Sequence, residues 1–154
     1  ISLNLNVETL LSAAFSQFDM AVPQALKVSV VIEVPVVDVF ADIGGFIVAR
    51  NEVQRLGYRI CLDGLTAKSL PHVDREKLGV DLLKVQWNAV AQGDLESREN
   101  QYLAEAIGRC GNKRIILCRC DNRQAVEYGQ ALGVSLCQGR YIDALIDPAS
   151  TVEN

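Results

Sequence analysis

Residues 28–64 read VSVVIEVPVVDVFADIGGFIVARNEVQRLGYRICLDG, and this stretch decides the fold. Residues 28–36 are a β-branched run suited to a strand buried on both faces. A helical pattern follows over residues 39–56 and stops at Gly57, and residues 58–63 form a third strand-like run in the chain. Strand, helix, strand is a crossover unit, because parallel neighbours need a connection of about a dozen residues or more.

The same alternation extends in both directions. In residues 1–6, Ile1, Leu3 and Leu5 fall on one face and Ser2, Asn4 and Asn6 on the other; residues 7–20 then place Leu10, Leu11, Ala14, Phe15 and Phe18 at helical spacing before Pro23. Downstream, residues 67–78 read as a loop with one or two helical turns. A strand is expected at 81–85, a helix at 95–109 ended by Gly111, a strand at 114–118, a helix at 124–132 capped by Gly133, and a strand at 134–137, after which the chain tails off. No Gly/Ser-rich or Pro-rich linker interrupts the series, so residues 1–154 are expected to form a single domain. Six such units suit either a doubly wound open sheet or a (β/α)8 barrel lacking its first elements, since complete barrels run to about 250 residues. The pattern leaves both open.

Composition narrows the function. The 154 residues are 49% hydrophobic, enough to fill a core, and 15 Lys and Arg against 19 Asp and Glu give a net charge of −4. A polyanion would meet net repulsion, so DNA and RNA are not expected partners. The longest apolar runs fall far short of the roughly 20 residues that cross a bilayer, so no membrane segment is expected. The first residue is Ile1, already inside a strand-like pattern, so the chain is expected to begin within a larger protein; nothing resembles a secretory leader, and a cytoplasmic setting is the default.

Five cysteines is an odd number, and four of them, Cys61, Cys118, Cys120 and Cys137, sit in apolar strand-like runs, which fits reduced, buried thiols. The competing reading is a metal site in which Cys118 and Cys120 project from one side of a strand, with Cys110 and Cys137 nearby. Other motifs fail. The stretch DGLTAKS, 63–69, lacks the second glycine of a phosphate-binding loop, Gly44 and Gly45 lie within a helical pattern, and His72, the sole histidine, reads as an exposed loop residue with no nucleophile motif to serve.

In either architecture, ligands meet the carboxyl ends of the strands. The polar residues there form a set: Asn4 and Asn6, Glu33, Asp63, Lys84 and Gln86, Asp121, and Gln138. Each lies in or just after a run apolar enough to be buried, where an unpaired charge or amide costs several kcal/mol. Taken singly, each reads as a loop cap or an internal salt bridge, such as Lys84 with Glu33 or Asp63; recurrence across five strands points to a shared site.

The set resembles the EAL domain family, bacterial phosphodiesterases of cyclic di-GMP built on a (β/α)8-type barrel. ISLNLN, 1–6, resembles the family's strand ending in Asn-hydrophobic-Ser, with Asn4 on the metal-ligand asparagine. VIEVPV, 31–36, resembles its Glu-hydrophobic-Thr-Glu strand, with Glu33 on the first glutamate. RLGYRICLDG, 55–64, resembles the lead into its Asp-Asp-Phe-Gly loop, with Asp63 on the first aspartate. GVDLLKVQ, 79–86, resembles the strand ending in Lys-Ile-Asp, with Lys84 on the lysine, and ALGVSLCQG, 131–139, the segment ending in Gln-Gly-Tyr. The resemblance implies an incomplete TIM-type barrel with about six βα units, without the strand that carries Glu-Ala-Leu.

The departures remove charge. Val36 replaces the second Glu, Gly64 the second Asp, and Gln86 the Asp after the lysine. Cys118 falls on the glutamate that serves as general base, Asp121 on the second glutamate of that strand, and Arg140 on the tyrosine. Two-metal hydrolysis needs several carboxylates to hold two cations close together. Asn4, Glu33 and Asp63 supply two charges among three retained metal positions, so at most one weakly held Mg²⁺ or Mn²⁺ is expected, and otherwise no cofactor. A thiol at Cys118 is a poor base there and a poor Mg²⁺ ligand. The expected function is therefore a degenerate, catalytically inactive signalling domain. It would act as a cyclic di-GMP receptor through Lys84, Gln138 and Asp121, or as a protein-interaction module with a partner or a second copy, in which case an exposed apolar patch is predicted. The alternatives are a residual phosphodiesterase in a full-length parent and an unrelated enzyme with thiol chemistry at Cys118 or Cys120.

Overall fold

The computed structural model describes residues 1–87 and 97–147. Six strands, β1 (Ser2–Asn4), β2 (Val31–Pro35), β3 (Arg59–Thr66), β4 (Leu82–Gln86), β5 (Ile115–Cys118) and β6 (Leu136–Gln138), form one parallel sheet in the order β1-β2-β3-β4-β5-β6. A doubly wound sheet reverses direction at a switch point, where its strand order stops following the sequence. Here the order never reverses, which is the winding of a barrel, and the fold is an incomplete (β/α)8-type barrel with six units.

The crossovers carry nine helices among the described residues: α1 (Val7–Leu10), α2 (Ala13–Ala21), α3 (Gln24–Lys27), α4 (Val36–Ala41), α5 (Ile43–Arg55), α6 (Arg75–Leu78), α7 (Arg98–Cys110), α8 (Arg123–Ala131) and α9 (Arg140–Ile146). Two expected helices are each broken in two. The one over 7–20 stops at Leu11, where the Ser12 hydroxyl donates to the Thr9 carbonyl at 2.7 Å and Ser12 turns extended. The one over 39–56 starts earlier, at Val36, and breaks at Asp42, whose carboxylate accepts the Gly45 amide at 2.8 Å and caps α5. Residues 28–30 are a turn rather than strand. Residues 95 and 96, the expected start of the α7 helix, lie outside the described residues. Where the chain was expected to tail off after the sixth strand, it forms α9.

The chain forms two compact units, Ile1–Gly64 with Arg75–Leu83, and Leu65–Asp74 with the described residues from Lys84 onward. In the first unit, Ile32 and Val34 of β2 and Ile60 and Leu62 of β3 are fully buried, and α5 turns Phe46, Ala49 and Val53 inward at helical spacing. Each of the larger side chains contributes about 2 kcal/mol on leaving water, and the Ala49 methyl less than half of that. The Asp81 carboxylate accepts the Ile60 amide at 2.9 Å and the Gln54 amide group at 3.1 Å, tying β3 to α5. Below them, Asp19 accepts from Lys27 and, at 2.9 Å, from the Tyr58 hydroxyl, while the Lys27 ammonium lies 5.5 Å from the Tyr58 ring centre.

In the second unit, Leu103, Ala106 and Ile107 of α7 and Ile115 and Leu117 of β5 are buried. The Tyr128 hydroxyl on α8 donates to Asn100 on α7 at 2.7 Å. Gly129 lets α8 approach β5 closely, since a Cβ there would stand 2.8 Å from Leu117 Cδ2.

Candidate functional site

Register fixes the site in the first unit. Asn4 pairs with Glu33, Glu33 with Cys61, and Pro35 with Asp63. Side chains alternate along a strand, so Asn4, Glu33, Cys61 and Asp63 share one face of the sheet, and Ile32, Val34, Ile60 and Leu62 occupy the other. Asn4 is exposed, Glu33 is 4% exposed and Asp63 is half-buried. The Glu33 carbonyl also takes the Leu5 amide at 3.0 Å, which carries the pairing one residue beyond β1.

Val36 and Gly64, where the resemblance implies carboxylates, are neighbours in the structure. Val36 opens α4 directly after β2, and its Cγ1 lies 3.6 Å from where a Cβ on Gly64 would stand. Gly64 has φ +85°, a left-handed conformation that side chains other than hydrogen resist. The backbone there is therefore shaped for glycine, and a methyl group fills the adjacent space.

The second unit holds the other predicted residues. Lys84 is buried on β4. The Trp87 amide donates to the Cys118 carbonyl at 2.9 Å, and the Cys118 thiol donates to the Val85 carbonyl at 3.3 Å, so this half-buried thiol is spent on the backbone. Cys118 pairs in register with Gln138, which is exposed. Asp121 accepts the Arg140 amide at 3.0 Å and the Arg140 guanidinium at 3.3 Å, which together hold its carboxyl below the usual range. The aspartate thereby caps the start of α9, an arrangement that sequence reasoning missed and that the Asp121 to Arg140 charge pair could have suggested.

The thiols do not make a metal centre. β5 ends at Cys118, and Arg119 follows with φ +63°, so Cys120 does not project from a common strand with Cys118 as the competing reading required. Cys120 is fully buried and touches Cys137; burial first, and Cys137 second, push its thiol up to about 12. That protonated state is the opposite of a reactive thiolate. None of the five cysteines is in a disulfide, and among the described residues no three His, Cys, Asp or Glu side chains come together as a metal-binding group. A cavity of about 20 Å³ lined by Trp87, Leu103, Leu117 and Tyr128 has room for a water molecule, not a nucleotide.

Among the described residues, no helix is long and apolar enough to cross a membrane. No family model matches the sequence, and no curated protein matches it. Solved structures do. A Vibrio cholerae LapD S helix-GGDEF-EAL chain bound to c-di-GMP is similar with a TM-score of 0.70 at 12% identity, over 92% of this chain and 36% of that one. The Bacillus subtilis YkuI protein, with an EAL domain, in complex with c-di-GMP and calcium, gives 0.70 at 17% identity, again over 92% and 36%. The Xanthomonas citri FimX EAL domain in complex with c-di-GMP gives 0.68 at 14% identity, over 92% and 58%. The chain thus spans between 36% and 58% of the length of these structures. What they share with it is architecture: this chain has the fold of the EAL-domain barrel.

Proposed function

We propose that the chain is a degenerate EAL-type domain in bacterial signalling that binds cyclic di-GMP without hydrolysing it. The observation that carries this reading is the meeting of Val36 and Gly64, whose missing Cβ would stand 3.6 Å from Val36 Cγ1, where the resemblance would place two carboxylates. The donors that remain in the first unit, Asn4, Glu33 and Asp63, do not fit a pair of divalent cations, since two charges cannot offset the repulsion of two ions held a few ångströms apart. One weakly held Mg²⁺ or Mn²⁺ is the most they would support.

The receptor reading is supported by the likeness to chains solved with the dinucleotide and by the polar side chains at the ends of β4 and β6. Lys84 offers a cation to a phosphate, Gln138 an exposed amide to a base or phosphate, and Asp121 holds Arg140 next to Gln138 in sequence. The test is calorimetry with cyclic di-GMP, followed by chromatography of the same mixture after incubation with Mn²⁺. Saturable heat with no linear dinucleotide is expected. Linear product would instead favour a residual phosphodiesterase, and absence of heat would remove the receptor role.

A further inference from the structure

Apolar side chains crowd one exposed surface of the first unit. On α4, Val37 is 70% and Phe40 63% exposed; on α5, Ile43, Ile47 and Val48 are 45%, 42% and 60% exposed. Positions 37 and 40 are one helical turn apart, as are 43 and 47, so each helix turns a continuous apolar stripe outward while Val39, Phe46, Ala49 and Val53 face the core. The α5 stripe ends in polar Asn51 and Glu52. Singly exposed apolar residues are ordinary; five within twelve positions form a patch of the kind that marks an interaction surface.

Acidic side chains gather at one place beside it, whereas Arg50, one turn beyond Ile47 on α5, reaches the Leu78 carbonyl at 2.6 Å. A cleft of about 560 Å³ is lined by Asn6, Glu8, Leu11 and Ser12 from the α1 side and by Asp38 and Asp42 from α4 and its end. Within residues 1–49 the sole Lys or Arg is Lys27, which is buried and already paired with Asp19. The side chains of Glu8, Asp38 and Asp42 therefore line the cleft with no cationic side chain among them. Asp42 is engaged with the Gly45 amide, a contact that leaves its charge in place.

We infer that α4, α5 and the acidic cleft beside α1 form a docking surface for a basic amphipathic helix of a partner protein, whose apolar ridge covers Val37, Phe40 and Ile43 while its Lys and Arg side chains meet Glu8, Asp38 and Asp42. Charge complementarity selects this occupant. An anionic membrane surface would be repelled, and a second copy would bring like charges to the same cleft. The surface is argued apart from dinucleotide binding: Lys84, Asp121 and Gln138, the contacts proposed for that ligand, do not line it, and only Asn6 at its edge belongs to the polar strand-end set.

The probe is a fluorescent synthetic amphipathic helix of leucine and lysine, with a leucine and glutamate counterpart as control, followed by anisotropy on the full chain without nucleotide. Saturable binding of the lysine peptide, weakened by salt and absent for the glutamate peptide, is expected. Val37→Ser with Phe40→Ser should weaken it about tenfold, and Glu8→Gln with Asp38→Asn should weaken it and flatten the salt dependence. Glu8, Val37 and Phe40 are exposed and Asp38 is half-buried, and circular dichroism of each variant confirms folding. Binding unchanged in both variants, or equal for both peptides, overturns the inference. So does sedimentation showing a dimer that Phe40→Ser dissociates, or capture by phosphatidylserine vesicles, since each assigns the face to another occupant. Failure of cyclic di-GMP to bind leaves this result untouched, so the two readings fall separately.

Discussion

Glycine carries two opposite messages in the second unit. A Cβ on Gly139 would stand 2.5 to 2.6 Å from the backbone of Cys120, whereas one on Gly108, on the exposed side of the last turn of α7, meets nothing within 4 Å. Gly139→Ala must push β6 or the Cys120 segment aside and should cost about 2 kcal/mol, while Gly108→Ala should gain about 0.5 to 1 kcal/mol through helix propensity. Urea titration of both variants reads the contrast; equal midpoints would contradict the packing at Cys120. Cys120 itself, with its thiol pushed up to about 12, should resist iodoacetamide at neutral pH in the folded chain and react once urea exposes it. Mass spectrometry of the digested protein locates the label. The thiols show how far sequence reaches: runs of apolar neighbours announced buried cysteines, but the turn at Arg119 that separates Cys118 from Cys120 depends on a left-handed residue with no glycine or asparagine to signal it.

At the level of elements, α2, α3 and the residue that leads into β3 meet through three side chains, Asp19, Lys27 and Tyr58. Lys27 holds the Asp19 carboxyl below its ordinary value of 3.8, and burial with the Asp19 contact pushes the Tyr58 hydroxyl up to about 12. The lowered carboxyl adds stability above its unfolded value, and that contribution disappears as pH falls below 3.8 toward the folded value. The raised tyrosine adds stability below 10, lost as pH climbs from there toward 12. Lys27→Met leaves Asp19 facing Tyr58 without its cation and should cost about 3 kcal/mol, with the acid-side decline of thermal stability flattened. Thermal melts from pH 2.5 to 7 of both proteins would show it, and parallel acid limbs would refute the pairing. Helix breaks were the poorest part of the sequence reading at this scale. Asp42 and Ser12 sit within otherwise continuous helical periodicity, and only their local hydrogen bonds, to Gly45 and Thr9, divide it. α9 was missed for a related reason: its first turn is anchored by Asp121 from nineteen residues upstream.

At the scale of the whole molecule, alternation of strands and helices was legible because β-branched runs and 3.6-residue spacing are local signals. Barrel against open sheet was not, since strand order is set by which crossover lands where, and neither winding leaves a mark on composition. Polar residues in and after the strands were picked by position, and the register of β1, β2 and β3 sets three of them, Asn4, Glu33 and Asp63, on one face as their two-residue periodicity requires. Their roles toward a ligand remain proposals. The exposed stripe on α4 and α5 was visible in advance only as a general expectation of an apolar patch, because VVDVFADIGGFIV reads equally well as a helix buried all round.

The sheet described above ends in its two shortest strands, β1 and β6, three residues each. Unsatisfied backbone at a sheet border is a template on which other chains can stack into fibrils, and the hazard grows with the length of the border. Strands this short offer an incoming chain only a brief ladder of hydrogen bonds on which to stack.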